Sequence, residues 1–154
     1  MYISSLNSGS NGNCYYIGND EEAVLIDAGI SCKETEQRMR RLGLQMDKVK
    51  AVFISHEHID HIKGIEVLAA RYRLPVYITA ATLSNSKLRL PYEQIRPFKA
   101  YEPVMIGSLA IQAFPKFHDA NDPHSFLISC DGVHTGVFTD IGACCEHLIT
   151  HFKQ

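Results

Sequence analysis

The segment His56-Glu57-His58-Ile59-Asp60-His61 constrains this chain more than any other. Three imidazoles and the Asp60 carboxylate fall within six residues, directly after the apolar run Val49-Lys50-Ala51-Val52-Phe53-Ile54. That run is too continuous for a half-exposed strand. It reads as a strand buried on both faces, as in a parallel sheet covered by helices. Beyond the cluster, Ile65, Leu68, Ala69 and Tyr72 recur at helical spacing, which predicts a helix over 62–72. The cluster is thereby placed on a strand-to-helix turn at the carboxyl end of a buried strand, where open α/β sheets bind their ligands.

His56 and His58, two apart, project to the same side of an extended segment and can grip one metal ion. Asp60 and His61 lie past the turn, aim elsewhere, and suit a second ion close by. Imidazole with carboxylate is a ligand set for zinc, iron or manganese, not for calcium. The bland alternative is a solvated histidine-rich loop, and placement behind a buried strand argues against it.

With 154 residues the chain is long enough for one domain, 1–154, with a real core. Apolar content of 45% and charged content of 21% are those of an ordinary globular protein. No apolar stretch approaches the ~20 residues of a membrane span, and Met1-Tyr2-Ile3-Ser4-Ser5 is no signal peptide, so a cytoplasmic protein is expected. Five cysteines, Cys14, Cys32, Cys130, Cys144 and Cys145, fit no zinc-ribbon spacing and read as reduced, buried thiols. Net charge is −2, which does not announce a nucleic-acid binder. Locally, however, Arg71, Arg73, Lys87, Arg89, Arg96 and Lys99 face only Glu93, a pattern shared by phosphate-binding surfaces and by solvated helix faces.

Two strands, 1–6 and 14–17, flank the polar loop Asn7 to Asn13, and Ala23 to Asp27 forms a third. Ser31 and Glu34 make a capping box for a helix that ends near Gly43. Pro75 opens a short strand, Ala80 to Lys87 is helical, and Ile95 to Phe98 is ambiguous. Met105 to Phe117 and His124 to Asp140 read as antiparallel strands, the second turning at Asp131-Gly132. A helix over 142–152 closes the chain and places His147 and His151 at i, i+4, a metal pair by geometry without a third ligand nearby. His124 and His134 lie on strands without ligand spacing and read as structural. The loop Ser8-Gly9-Ser10-Asn11-Gly12-Asn13 is open to two readings, a backbone nest for a phosphate or a hairpin whose glycines only relieve strain. The fold class is α/β.

Ser55-His56-Glu57-His58-Ile59-Asp60-His61 resembles the signature of the metallo-β-lactamase fold superfamily, and other matches follow in order. Leu25-Ile26-Asp27-Ala28-Gly29 resembles its strand-end motif, Phe117-His118-Asp119-Ala120 its third metal motif, and Val137-Phe138-Thr139-Asp140 the segment of its bridging carboxylate. The opening Ser5 to Ile17, with Asp27-Ala28-Gly29-Ile30-Ser31 and His118 to Pro123, is similar to the YycJ/WalJ branch, whose members are regarded as DNA exonucleases acting from the five-prime end. The resemblance implies an αββα sandwich. It also implies a site: His56, His58 and His118 on a first metal, Asp60 and His61 on a second, Asp140 bridging. Asp27 would then steady the metal loop from behind. The superfamily's fifth motif, a later histidine, has no match in the 14 residues after Asp140. The sandwich is therefore expected to be C-terminally incomplete and to self-associate through its uncovered half.

The function so implied is metal-dependent hydrolysis. One or two divalent ions are expected, zinc first and manganese or iron next. A bridging hydroxide oriented by Asp60 would attack a phosphodiester of DNA. A thioesterase, lactonase or lactamase on the same site is the alternative enzyme, since fold alone does not choose. A metal-binding form with little activity is the third reading.

Overall fold

The computed structural model describes residues 1–143, 146, 149 and 150. The predicted terminal helix, with Cys144, Cys145, His147 and His151, falls largely outside them. Six strands form one mixed sheet in chain order: β1 (Tyr2–Asn7), β2 (Cys14–Gly18), β3 (Ala23–Ile26), β4 (Val49–Phe53), β5 (Val76–Tyr77) and β6 (Ile95–Arg96). β1 to β3 pair antiparallel, and β3 to β6 run parallel. Four antiparallel strands form a second sheet in the order β10-β9-β8-β7: β7 (Val104–Ile106), β8 (Leu109–Pro115), β9 (His124–Cys130) and β10 (Val133–Val137).

β4 is buried on both faces, as the apolar run predicts. Val52 and Ile54 pack into a cluster with Met39, Ile65 and Leu68 from helices α1 (Cys32–Arg41) and α3 (Ile65–Tyr72). Ala51 and Phe53 enter a second cluster with Ile111, Phe126 and Ile128 of the other sheet. Leu25 and Ile26 of β3 divide the same way. Helices therefore cover one face of the first sheet and the second sheet covers the other. On β8, Leu109, Ile111 and Ala113 point inward while Ala110 and Gln112 are half-buried, the expected alternation. These are three layers of the expected αββα sandwich. No helix among the described residues is long and apolar enough to cross a membrane.

Local signals hold where the chemistry is local. Ser31 and Glu34 form both bonds of the capping box. Behind α1, Gly43 N donates to Arg40 O and Leu44 N to Met39 O, the paired bonds of a Schellman end. Asp131 and Gly132, at φ 49° and 74°, make the hairpin between β9 and β10. Two expectations are corrected. Met105 to Phe117 is not one strand but a hairpin, β7 turning into β8 at Gly107-Ser108. Gly107 sits at φ 57°, and Ser108 N and Oγ donate to the Glu22 carboxylate. The helix over 62–72 is also interrupted. α2 (Ile59–Ile62) ends at Lys63, and Gly64 N donates to Ala28 O at 2.8 Å before α3 begins. α4 (Ala80–Asn85) starts from a Thr79 cap.

A Cβ at Gly64 would stand 1.9 Å from the Ile30 carbonyl oxygen, a backbone atom that cannot step aside. Gly64→Ala is therefore expected to destabilise the chain by about 3 kcal/mol, the upper end of overpacking costs. Urea unfolding measures it, and a midpoint equal to that of the parent would contradict the close approach.

Candidate metal centre

The site begins at the end of β3. Asp27 takes a left-handed conformation, φ 61°, which aspartate tolerates better than most residues. Its N–H donates to Phe53 O, and its carboxylate crosses the end of β4. Oδ1 accepts from Ser55 N at 2.8 Å, and Oδ2 accepts from Ser55 Oγ at 2.8 Å. Oδ2 also lies 2.7 Å from His61 Nδ1. Asp27 is 0% exposed, so these partners are what make a buried carboxylate tolerable.

His56 follows Ser55, and its Nδ1 lies 2.9 Å from Ser55 Oγ. Its Nε2 is buried with no hydrogen-bond partner; the nearest carboxylate oxygen, Asp140 Oδ2, is 3.8 Å away. A buried imidazole nitrogen without a hydrogen-bond partner, set among other possible ligand atoms, fits a site for a cation. His58 caps α2, and its ring centroid lies 4.6 Å from that of His56. The loop after β8 brings in His118, with Nε2 3.2 Å from His58 Nδ1. Asp140 follows β10, and its Oδ2 lies 2.6 Å from His61 Nε2.

Two groups of ligand atoms result, each within 4.8 Å of one another: His56, His58 and His118, and His56, His61 and Asp140. His56 belongs to both. Asp60 stands beside the second group, its Oδ2 3.4 Å from His61 Nε2 and 3.2 Å from Asn13 Nδ2. The donor set fits divalent transition metals, with imidazoles on one side and imidazole with carboxylate on the other.

Four contributors escaped the sequence reading. Asn13 Nδ2 lies 3.0 Å from His61 Nε2, and Ser55 contacts Asp27, His56 and His61. Glu57 Oε1 accepts from Asn121 N and Nδ2, which ties the His118 loop to the metal loop. Lys116 is buried and donates to Thr139 O at 2.6 Å, next to Asp140. Only Ser55 carried a local signal, standing between a buried strand and the histidines. His124 and His134 lie apart from the ligands. His124 is buried against Phe98, and His134 bonds Ser129. The basic tract is partly neutralised by carboxylates outside it, Arg71 pairing with Glu36 and Lys99 with Glu102.

Burial drives the His56 pKa far down, and the nearby His61 and Lys116 charges add to the effect. Burial lowers that of His118 too, again with Lys116. At His61 burial also works against the charge, but Asp27, Asp140 and Asp60 outweigh it and hold the ring above its ordinary 6.5. Carboxylates that keep a proton on that ring equally favour a divalent cation in its place.

Residues 8–139 match the family model of the metallo-β-lactamase superfamily. The chain belongs to that superfamily. Among curated relatives it is similar to exodeoxyribonuclease YycJ of Bacillus anthracis, 34% identical over 145 residues, covering 92% of this chain and 55% of that protein. It is also similar to exodeoxyribonuclease WalJ of Streptococcus pneumoniae, at 31% identity, covering 90% and 54%. The chain thus spans about half the length of these relatives. A solved metallo-β-lactamase of Cronobacter sakazakii superposes with a TM-score of 0.68 at 19% identity, covering 82% of this chain and 57% of the other, which is a likeness of fold.

Asp27→Asn should keep the fold's shape but weaken metal binding about 10- to 100-fold, the usual cost of losing a partner behind a ligand. Titration with zinc against a competing chelator reads this, and parent-like affinity would remove Asp27 from the centre. Protons and a metal held at this group would compete for His61. Because its pKa is raised, competition starts at higher pH than for an ordinary histidine. Zinc affinity should therefore begin to weaken at a higher pH in the parent than in Asp27→Asn, whose His61 loses the main group that raises it. Competition with a chelator at stepped pH tests this, and the same onset in both would refute it.

Proposed function

We propose that this chain is the metal-binding part of a hydrolase that cuts phosphodiester bonds, with DNA taken from a strand end as substrate. Two ligand groups meeting at His56, whose buried Nε2 lacks a partner, carry this proposal. His58 and His118 are half-buried and Asp140 is exposed, so both ligand groups reach solvent. His56, His58 and His118 would hold one ion. His61 and Asp140, with Asp60 beside them, would hold the other. These residues would thereby hold ions that could supply Lewis acidity and a nucleophile at neutral pH and offset phosphodiester charge.

The protein's own part is positional. Asp27 and Ser55 fix the rings of His56 and His61, Asn13 orients Asp60, and Glu57 tethers the loop of His118. Zinc is proposed because three imidazoles would leave one open position, as in catalytic zinc sites; manganese or iron suits the same donors. The two exodeoxyribonuclease relatives favour DNA over lactam or thioester substrates. A cytoplasmic setting is proposed from the buried, unpaired thiols of Cys14, Cys32 and Cys130.

The zinc- or manganese-loaded chain is to be given five-prime-labelled single-stranded DNA, a chromogenic lactam and a thioester. Release of nucleotides from DNA is expected, with His58→Ala losing both bound metal and more than about a hundredfold of the activity. Turnover of lactam or thioester with intact DNA would overturn the nuclease reading. Metal retained with no turnover at all would leave this chain a metal-binding form.

A further inference from the structure

We infer that the cleft beside Asp60 holds a backbone phosphate of the nucleic-acid strand, an inference that rests on the nuclease reading above. The cleft measures about 220 Å³ and is lined by Ser10, Asn11, Gly29, Ile59, Asp60 and Lys63. Sites that enclose drug-sized ligands run to roughly 300–1,000 Å³, so this one suits a small group. No aromatic side chain lines it, which disfavours a stacked base.

Its donors are free. Ser10, Asn11 and Lys63 make no side-chain hydrogen bond or ion pair among the described residues, although Lys63 lies within electrostatic reach of Glu34. Their neighbours are committed: Asn7 donates to Gly12 O, Ser8 meets Tyr15, and Asn13 meets Gly9, Asp60 and His61. A hydroxyl, an amide and an ammonium around one small cleft form a donor set for an oxyanion.

The donors also stand at a fixed place beside the metal centre. Asn13 N donates to Asp60 O at 2.6 Å and Gly29 N to Asn13 O at 2.8 Å, which fastens the loop to the metal segment. Gly12 N and Gly9 N are spent within the loop, on Gly9 O and Asn13 Oδ1. Asp60 is the one carboxylate on the rim, and its Oδ2 is turned to Asn13 and His61, on the metal side. A strand with one phosphodiester at the metals would lay a neighbouring phosphate here.

Salt-dependent binding of a fluorescent single-stranded oligodeoxynucleotide with phosphorothioate linkages to the metal-loaded chain tests the cleft. Lys63→Met should weaken binding about fivefold at low salt. It should also reduce the slope of log affinity against log salt by about 0.7, the value for one lost contact on a single strand. Asn11→Asp, which sets a carboxylate in the cleft, should weaken binding at least as much. Both should keep the parent's metal content and thermal midpoint. Parent-like affinity and slope in both variants would overturn the cleft while leaving the nuclease reading intact. A parent chain that binds no oligonucleotide would overturn the nuclease reading itself.

Discussion

The buried carboxylate of Asp27 is the constraint on which the rest of the site depends. Taking a charge out of water is costly unless hydrogen bonds replace the lost solvation. Here an amide, a hydroxyl and an imidazole do so, all from the segment that follows β4. The need to satisfy one carboxylate therefore dictates where Ser55, His56 and His61 go. A left-handed backbone at Asp27 is the local strain accepted for aiming that carboxylate across the strand end.

Much of this was legible because it is local. β4 read as buried on both faces because it had almost no polar position to expose, and Ala51 with Phe53 and Val52 with Ile54 do divide between two cores. The capping box of Ser31 and Glu34 and the Asp131-Gly132 turn are satisfied within a few residues. What stayed hidden is set by distant partners. Gly64 breaks a helical pattern because Ala28 and Ile30 approach it, and nothing near Gly64 says so. The turn at Gly107-Ser108 interrupts a continuous alternation and is held by Glu22, far back in the chain. His118 and Asp140 were reached only through family resemblance, since their neighbours resemble any loop. The basic tract stays open between two readings for the same reason: Glu36 and Glu102, which pair with Arg71 and Lys99, lie outside it in the sequence.

Charge around the centre is arranged in opposition. Asp27, Asp60 and Asp140 draw positive charge toward His61, while burial and Lys116 keep His56 and His118 neutral. Neutral imidazole is the form that binds metal, so Lys116 favours ligand-ready rings without touching them. Its own ammonium is anchored on Thr139, which places it against the strand end that presents Asp140.

His56, His58, Asp60 and His61 lie within six residues of one another even when the chain is fully extended. An unfolded molecule therefore keeps a short chelating peptide, whereas His118 and Asp140 join only once both sheets have formed. Ligands stabilise a fold only by the margin with which they prefer it to the denatured ensemble. The gain in folding free energy from metal should thus fall short of what the native affinity alone would give, and the shortfall is the contribution of that local peptide.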